Sequence, residues 1–356
     1  MAERTIASFS VSRLELLHED GRVDEATPLE LDSEFMLRMY RLMLLARSFD
    51  QRAVSLQREG RLGTYPSILG QEAAQVGSAL ALEQEDWIFP SFRETGVYAT
   101  VGYPLDLLFR YWAGDERGLA GPEEINLLPA CVSVATQIPQ AVGAAFALRF
   151  RRVEAVSAVY FGEGASSKGD FHEGLNIAGV FKLPVLFICQ NNQWAISLSR
   201  DRQSASQTIA QKAVAYGFEG VQVDGNDVFA VHAATRAARE RALRGEGPTL
   251  IECHSYRMGH HTTSDDAGRY RDPAEVEVWK KRDPIDRLGR YLESRGVLTE
   301  AGRREVRRSC DELIDEAVRL AEAAPPPRHE DMFGNVFARP TPRLERQLRE
   351  LANGGA

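Results

Sequence analysis

Residues 155–161 read AVSAVYF and run directly into GEGASSKGDFHEG at 162–174; residues 184–190 read PVLFICQ and run into NNQWAIS at 191–197. Each is a short apolar run that stops at glycine or asparagine, the pattern of a buried strand. The flanking text keeps the same rhythm. ATQIPQAVGAAFALRF, rich in Ala and Gly, reads as a closely packed helix, and DFHEGLNIAGVF as a helix between the two strands. TIAQKAVAYG, GVQVDG, DVFAVHAATRAARERAL and PTLIECHSY then follow as helix, strand, helix and strand. This alternation predicts an α/β fold with a largely parallel sheet and helices on both faces.

Outward from this centre, EFMLRMYRLMLLARSFDQRAVSLQREG repeats apolar residues at helical spacing between Ser33 and Gly60, and a second helix is expected over Gln71 to Leu82. Asp86 to Pro90 is a buried run closed by proline. The first 32 residues form an arm with a hairpin signal at Asp20-Gly21. Residues 33–272 are expected to be the α/β domain, and 273–356 a charged helical region, broken at Pro325-Pro326-Pro327 and ending in the basic helix PRLERQLRELANG.

Composition narrows the class. The 356 residues are 44% hydrophobic and 26% charged, with a formal net charge of −8, ordinary values for a globular protein with a large core. Interleaved charge of this sign speaks against nucleic acid or an acidic membrane as partner. The four cysteines lie far apart, with no C-x-x-C pair, so neither a structural zinc site nor a disulfide framework is expected. No run is long enough to span a membrane and no signal-type segment opens the chain, so the expected location is cytoplasmic.

In an open parallel sheet, ligands bind outside the carboxyl ends of the strands. Glu163 follows one strand end, and Asn191 and Asn192 follow the next. Gly164 is expected to open a helix whose first N–H groups attract a diphosphate, with Gly162 and Gly164 allowing close approach. One carboxylate, one amide oxygen, a main-chain carbonyl and two phosphate oxygens form an oxygen set suited to Mg2+. A P-loop is excluded because the lysine after Gly164 is misplaced, and a dinucleotide fingerprint because position 167 is Ser. A lone G-E-G also serves as a structural turn; the Asn-Asn at the next strand end argues for the site.

G-E-G followed about thirty residues later by N-N resembles the thiamine diphosphate motif. FGEGASSKGDFHEGLNIAGVFKLPVLFICQNNQWAIS further resembles the α subunit of the E1 component of 2-oxo acid dehydrogenase complexes, of pyruvate or branched-chain type. LGQEAAQVGSAL, FRETGVYATVGYPLDLL, VATQIPQAVGAA, VQVDGNDVFAV and YRMGHHTTSDD extend the likeness from about Glu34 to the C-terminal tail. The resemblance implies thiamine diphosphate and Mg2+, the metal held by Glu163, the side-chain oxygen of Asn192 and the carbonyl of Trp194. Gly164 and Ala165 would offer N–H groups to the diphosphate beside Gly162. Arg93 would bind it as a planar fork, with Phe92 where relatives often have tyrosine. Val132 and Val134 would hold the aminopyrimidine through the main chain, with a monovalent cation such as K+ admissible near Ser133 and Thr136. Arg257 would order a loop or meet the diphosphate, His261 would be the catalytic histidine, and Tyr65 would line the substrate funnel. Thr262 stands where animal relatives carry a regulatory phosphoserine.

Glu72 in GQEA invites the role of the glutamate that activates the cofactor, but the resemblance places that glutamate in a β subunit. It thereby implies a heterotetramer of two α and two β subunits that acylates the lipoyl group of an E2 acyltransferase from a small 2-oxo acid. Two alternatives stay open: the α subunit of an acetoin dehydrogenase, and a non-catalytic scaffold that retains the fold.

Overall fold

The strands ending at GEG and NN are direct neighbours. A computed structural model describes residues 3–24, 31–334 and 336–354. Its main sheet contains β1 (Ser12–Leu14), β2 (Trp87–Phe89), β3 (Ser157–Gly162), β4 (Val185–Asn191), β7 (Glu219–Asp224) and β8 (Thr249–His254), in the order β1-β7-β8-β4-β3-β2. Every pairing in it is parallel. β5 (Trp194–Ala195) and β6 (Leu198–Ser199) form a separate antiparallel pair just beyond β4.

Strand side chains alternate between two cores, as the period of two requires. Val159, Phe161, Val185, Phe187 and Cys189 pack with Ile138, Ala141 and Ala145 of α5 (Gln137–Arg151) and with Phe171 and Leu175 of α6 (Gly169–Val180). Ala158, Tyr160, Leu186, Ile188, Ile251 and Cys253 pack on the other face with Ala74 of α2 (Glu72–Ala79), Val97 of α3 (Thr95–Thr100) and Val231, Ala234 and Ala238 of α8 (Val228–Leu243). The expected helices on both faces are therefore present. Burial of each large apolar side chain contributes roughly 1.5–3 kcal/mol before chain entropy is counted.

A third core gathers the helices at one end. Met36, Met39, Tyr40, Met43 and Leu44 of α1 (Ser33–Arg58) meet Ile285, Leu288 and Leu292 of α10 (Pro284–Ser294) and Cys310 of α11 (Glu300–Ala323). α1 starts where Asp32 accepts the Phe35 N–H at 2.7 Å, and the chain turns away at Gly60, whose φ is +76°. α4 (Leu105–Trp112) packs against α11 in a fourth core with Phe49 and Phe109. The remaining α-helices among the described residues are α7 (Arg200–Gln203), α9 (Pro273–Lys280), α12 (Asp331–Gly334) and α13 (Pro342–Ala352), none of which contributes a buried residue.

Two elements depart from the sequence reading. TIAQKAVAYG contains a 3-10 helix, Ala210–Tyr216, because Thr208 and Glu252 take the N–H groups of Gln211 and Ala210 at 3.1 and 2.9 Å. The arm closes its turn at Gly21 with one antiparallel bridge, Leu17 to Val23, and also supplies β1 to the sheet edge; residues 25–30 lie outside the described residues. No helix among the described residues is long and apolar enough to cross a membrane.

Candidate functional site

Parallel register sets Gly162 opposite Gln190, so Glu163 and Asn192 emerge side by side at the carboxyl edge of the sheet. Glu163 is 1% exposed. Its Oε2 accepts the Asn192 N–H at 3.2 Å, and its Oε1 is buried without a hydrogen-bond partner. Burial pushes this carboxyl up to about 7, against the pull of neighbouring N–H groups and of Arg257 and Arg93. The two asparagines divide their work. Asn191 Nδ2 donates to Glu252 at 2.6 Å and is structural, whereas Asn192 Nδ2 donates to Gln71 Oε1 at 3.0 Å. The Trp194 N–H, 3.3 Å from Asn192 Oδ1, fixes the orientation of that amide.

The chain after Asn192 is held in an uncommon conformation. Gln193 and Ile196 have φ of 71° and 57°, left-handed for non-glycine residues, and they bracket the Trp194 carbonyl. Gly164 packs under this turn, where an added Cβ would stand 3.0 Å from Ala195 Cβ. A Cβ on Gly162 would enter open space at the mouth of the crevice. The expected helix start at Gly164 is corrected: Glu163–Ser167 is a 3-10 turn, Lys168 is extended, and α6 begins at Gly169. The buried Ala165 lies inside that turn.

Two buried arginines close the crevice. Arg93 donates from Nη1 to the Ser67 carbonyl at 2.6 Å and from Nη2 to the His261 carbonyl at 2.9 Å and His261 Nδ1 at 3.0 Å. Arg257 donates to the carbonyls of Trp194 at 3.1 Å and Ile196 at 2.7 Å, and approaches His261 Nδ1 at 3.3 Å; its Nε has no partner. Among the described residues neither guanidinium has a carboxylate within ion-pair distance. Burial first, and Arg257 second, push Arg93 down to about 10. Two cations this deep without an ion-pair partner carry a large desolvation cost.

Guanidinium groups only donate, so His261 Nδ1 must be an acceptor and the ring neutral, with its proton on Nε2. Burial and the two arginines push this imidazole down to about 4. Phe92 meets the ring edge-on at 6.1 Å.

The loop behind His261 contains groups that motif reading misses. Asp265 accepts the His261 N–H at 2.8 Å and the Tyr270 hydroxyl at 2.5 Å, and that hydroxyl accepts from Arg257 at 2.8 Å. The Ser-Asp-Asp run is the only signal for it. His260 is structural, its Nδ1 accepting the Ala267 N–H at 3.0 Å. Tyr65 is fully buried against Phe49 and Trp112, with its hydroxyl 3.3 Å from Thr95 and its main chain tied to Thr263. It therefore sits behind the loop as a packed residue. Glu72 is engaged by Arg47 and the Gly70 N–H. Val132 and Val134 are exposed on a separate loop, where the Ser133 carbonyl accepts the Thr136 N–H at 3.2 Å.

The profile of the dehydrogenase E1 component family matches residues 40–330. The chain belongs to the dehydrogenase E1 component family. It is 41% identical over 336 residues to the pyruvate dehydrogenase E1 component subunit alpha of Bacillus subtilis (strain 168), covering 94% of this chain and 91% of that one. The corresponding subunit of Staphylococcus aureus (strain Mu50 / ATCC 700699) is 43% identical over 311 residues, covering 87% and 84%. That of Acholeplasma laidlawii is 40% identical over 335 residues, covering 93% and 97%.

Membership in the dehydrogenase E1 component family implies thiamine diphosphate, and the crevice fits such a group. It has paired buried cations for a diphosphate, an orphaned carboxylate oxygen, and an open approach over Gly162. No group of three His, Cys, Asp or Glu side chains that could hold a metal exists among the described residues. A metal ion here must rely on one carboxylate, an amide oxygen, a carbonyl and oxygens of the ligand.

Proposed function

We propose that this dehydrogenase E1 component chain is the α subunit of a pyruvate-type enzyme, which binds thiamine diphosphate and Mg2+ in this crevice and acts with a β subunit and a lipoyl-bearing E2 acyltransferase. The observation that supports it most is the pair of buried guanidiniums near a buried carboxylate whose Oε1 has no hydrogen-bond partner, with no ion pair between them. A metal–diphosphate unit answers both needs. It gives the arginines an anion and Glu163 a cation, and so lowers the Glu163 carboxyl again.

In this reading Glu163, Asn192 Oδ1 and the Trp194 carbonyl hold the metal. Arg93, Arg257 and the N–H groups of Gly164 and Ala165 hold the diphosphate, and the main chain of Val132 and Val134 holds the aminopyrimidine. When bound, the thiamine group supplies the nucleophilic centre that makes decarboxylation of a 2-oxo acid feasible. His261, held neutral, offers its Nε2–H as a donor to a substrate oxygen.

The β subunit enters this reading as the source of the activating glutamate, and the engagement of Glu72 by Arg47 supports it, since Glu72 is not free for that role. An apolar surface beside the pyrimidine loop offers the β subunit a seat. Val132 is 61% exposed, Phe150 82% and Val180 68%, and Phe146 and Phe181 pair at 5.5 Å. Pyruvate is favoured over branched-chain 2-oxo acids because the cited relatives are named for it.

The test is reconstitution with the β subunit, comparing kcat/KM for pyruvate and 3-methyl-2-oxobutanoate with an artificial electron acceptor. Pyruvate is expected to win by about tenfold or more, the scale on which a fitted pocket discriminates added methyl groups. The α chain alone is expected to be inactive. A reversed preference would overturn the pyruvate assignment, and robust activity of the lone chain would overturn the division of labour.

A further inference from the structure

Glu94 is buried between Arg93 and the start of α3. Its Oε1 accepts from Gln190 Nε2 at 2.6 Å and its Oε2 accepts the Arg93 N–H at 3.0 Å. Main-chain groups dictate the direction of this chain. Gln75 Oε1 accepts the Gly96 N–H at 2.8 Å, and Gln75 Nε2 donates to the Arg93 carbonyl at 2.8 Å, which only one amide orientation satisfies. The same Nε2 donates to Gln190 Oε1 at 2.8 Å. Gln190 must then donate through its own Nε2, and Glu94 must accept at both oxygens.

An amide at position 94 would set donor against donor in a buried place. Burial pushes Glu94 up to about 7, while the hydrogen bonds from the Arg93 N–H and Gln190 favour its charged form. The other ionisable groups around it are Arg93, whose guanidinium is directed to Ser67 and His261, and the hydroxyls of Tyr98 and Tyr160.

We propose that Glu94 is a positioning residue for the cofactor site, fixing the Arg93 main chain against the end of β4. The inference rests on the cofactor reading above. Arg93 is held at its N–H by Glu94 and at its carbonyl by Gln75, and both holders converge on Gln190, two residues before Asn192 on the same segment. The relay thereby sets the spacing between the diphosphate-binding fork and the metal-binding amide.

Exchange of the amide and the carboxylate tests this. In a Glu94→Gln, Gln190→Glu double variant every donor again meets an acceptor, since the carboxylate introduced at position 190 accepts both from Gln75 and from the amide introduced at position 94. The single and double variants would be reconstituted with the β subunit and titrated with thiamine diphosphate in Mg2+ buffer, read by tryptophan fluorescence. Thermal midpoints would be recorded in parallel.

Glu94→Gln is expected to weaken cofactor binding about tenfold or more, and the double variant to recover to within about threefold of the wild type. Wild-type affinity in the single variant, or a double variant no better than the single, overturns the proposal. Should the single variant fold poorly, recovery by the double variant still decides the matter. If the wild-type assembly binds no thiamine diphosphate, the cofactor reading falls, and with it the positioning role; the midpoints then report only whether the exchange restores the relay.

Discussion

His261 is held by two donors on one nitrogen, and that arrangement dictates its behaviour with pH. Its folded value of about 4 lies below the ordinary imidazole value. A base with a depressed value contributes stability that is present above its unfolded pKa and lost as pH falls through the folded one. The ring should therefore show no titration in histidine NMR spectra between about pH 5.5 and 9, and should begin to charge only toward pH 4. A midpoint near the ordinary value would contradict the geometry. Replacing Arg93 with Gln removes one of the two cations and should move the midpoint upward, though burial still keeps it below the ordinary value. Arg93→Lys should weaken thiamine diphosphate binding by about 10- to 100-fold in an equilibrium titration. One ammonium cannot reproduce a fork that also spans Ser67 and His261, and each charge-assisted hydrogen bond contributes about 1.5–3 kcal/mol.

At the scale of elements, Asp227 joins two parts of the fold. Its Oδ1 accepts the Phe229 and Ala230 N–H groups at the start of α8, both at 3.0 Å, and its Oδ2 accepts those of Leu16 and Leu17 in the arm at 2.6 and 2.7 Å. Asp227→Ala would leave all four without that acceptor and should cost about 3 kcal/mol in urea unfolding, from the lost cap and the buried donors. Loss below about 1 kcal/mol would show that water satisfies these groups instead. The strands and helices are legible in the sequence because apolar periodicity is a local property. Glu163 and Asn192 are legible too, because both follow strand ends. The contact between them depends on β3 and β4 being neighbours in register, which is tertiary information. The roles of Asp265, Tyr270 and Glu94 are hidden for a related reason. Charged and hydroxyl side chains in loops read as solvated until a fold brings their partners from distant positions. The start of α6 is misplaced because nothing in Gly-Ala-Ser-Ser-Lys distinguishes a 3-10 turn from a first α-turn.

For the whole molecule, the apolar surface over α5 and α6 is the feature a lone chain does not explain. Gly143 has open space where a Cβ would stand, and Phe146 and Phe150 follow along the exposed stripe of α5, facing water together with Ile177, Val180 and Phe181 of α6 and its end. Contiguous exposure of this kind marks an interaction surface. The stripe starts at the loop bearing Val132 and Val134, so a partner seated on it also reaches the pyrimidine end of the proposed cofactor site. If the β subunit is that partner, Phe150→Glu combined with Phe181→Glu should weaken assembly by about a thousandfold, as loss of two buried aromatic anchors does. Both side chains already face solvent in the lone chain, so its circular dichroism and thermal midpoint should change little. Sedimentation velocity of the mixed subunits is the direct measurement. Assembly of the double variant at wild-type affinity would place the β subunit elsewhere, whereas loss of assembly with an unchanged α chain would tie the completion of the active site to this one face.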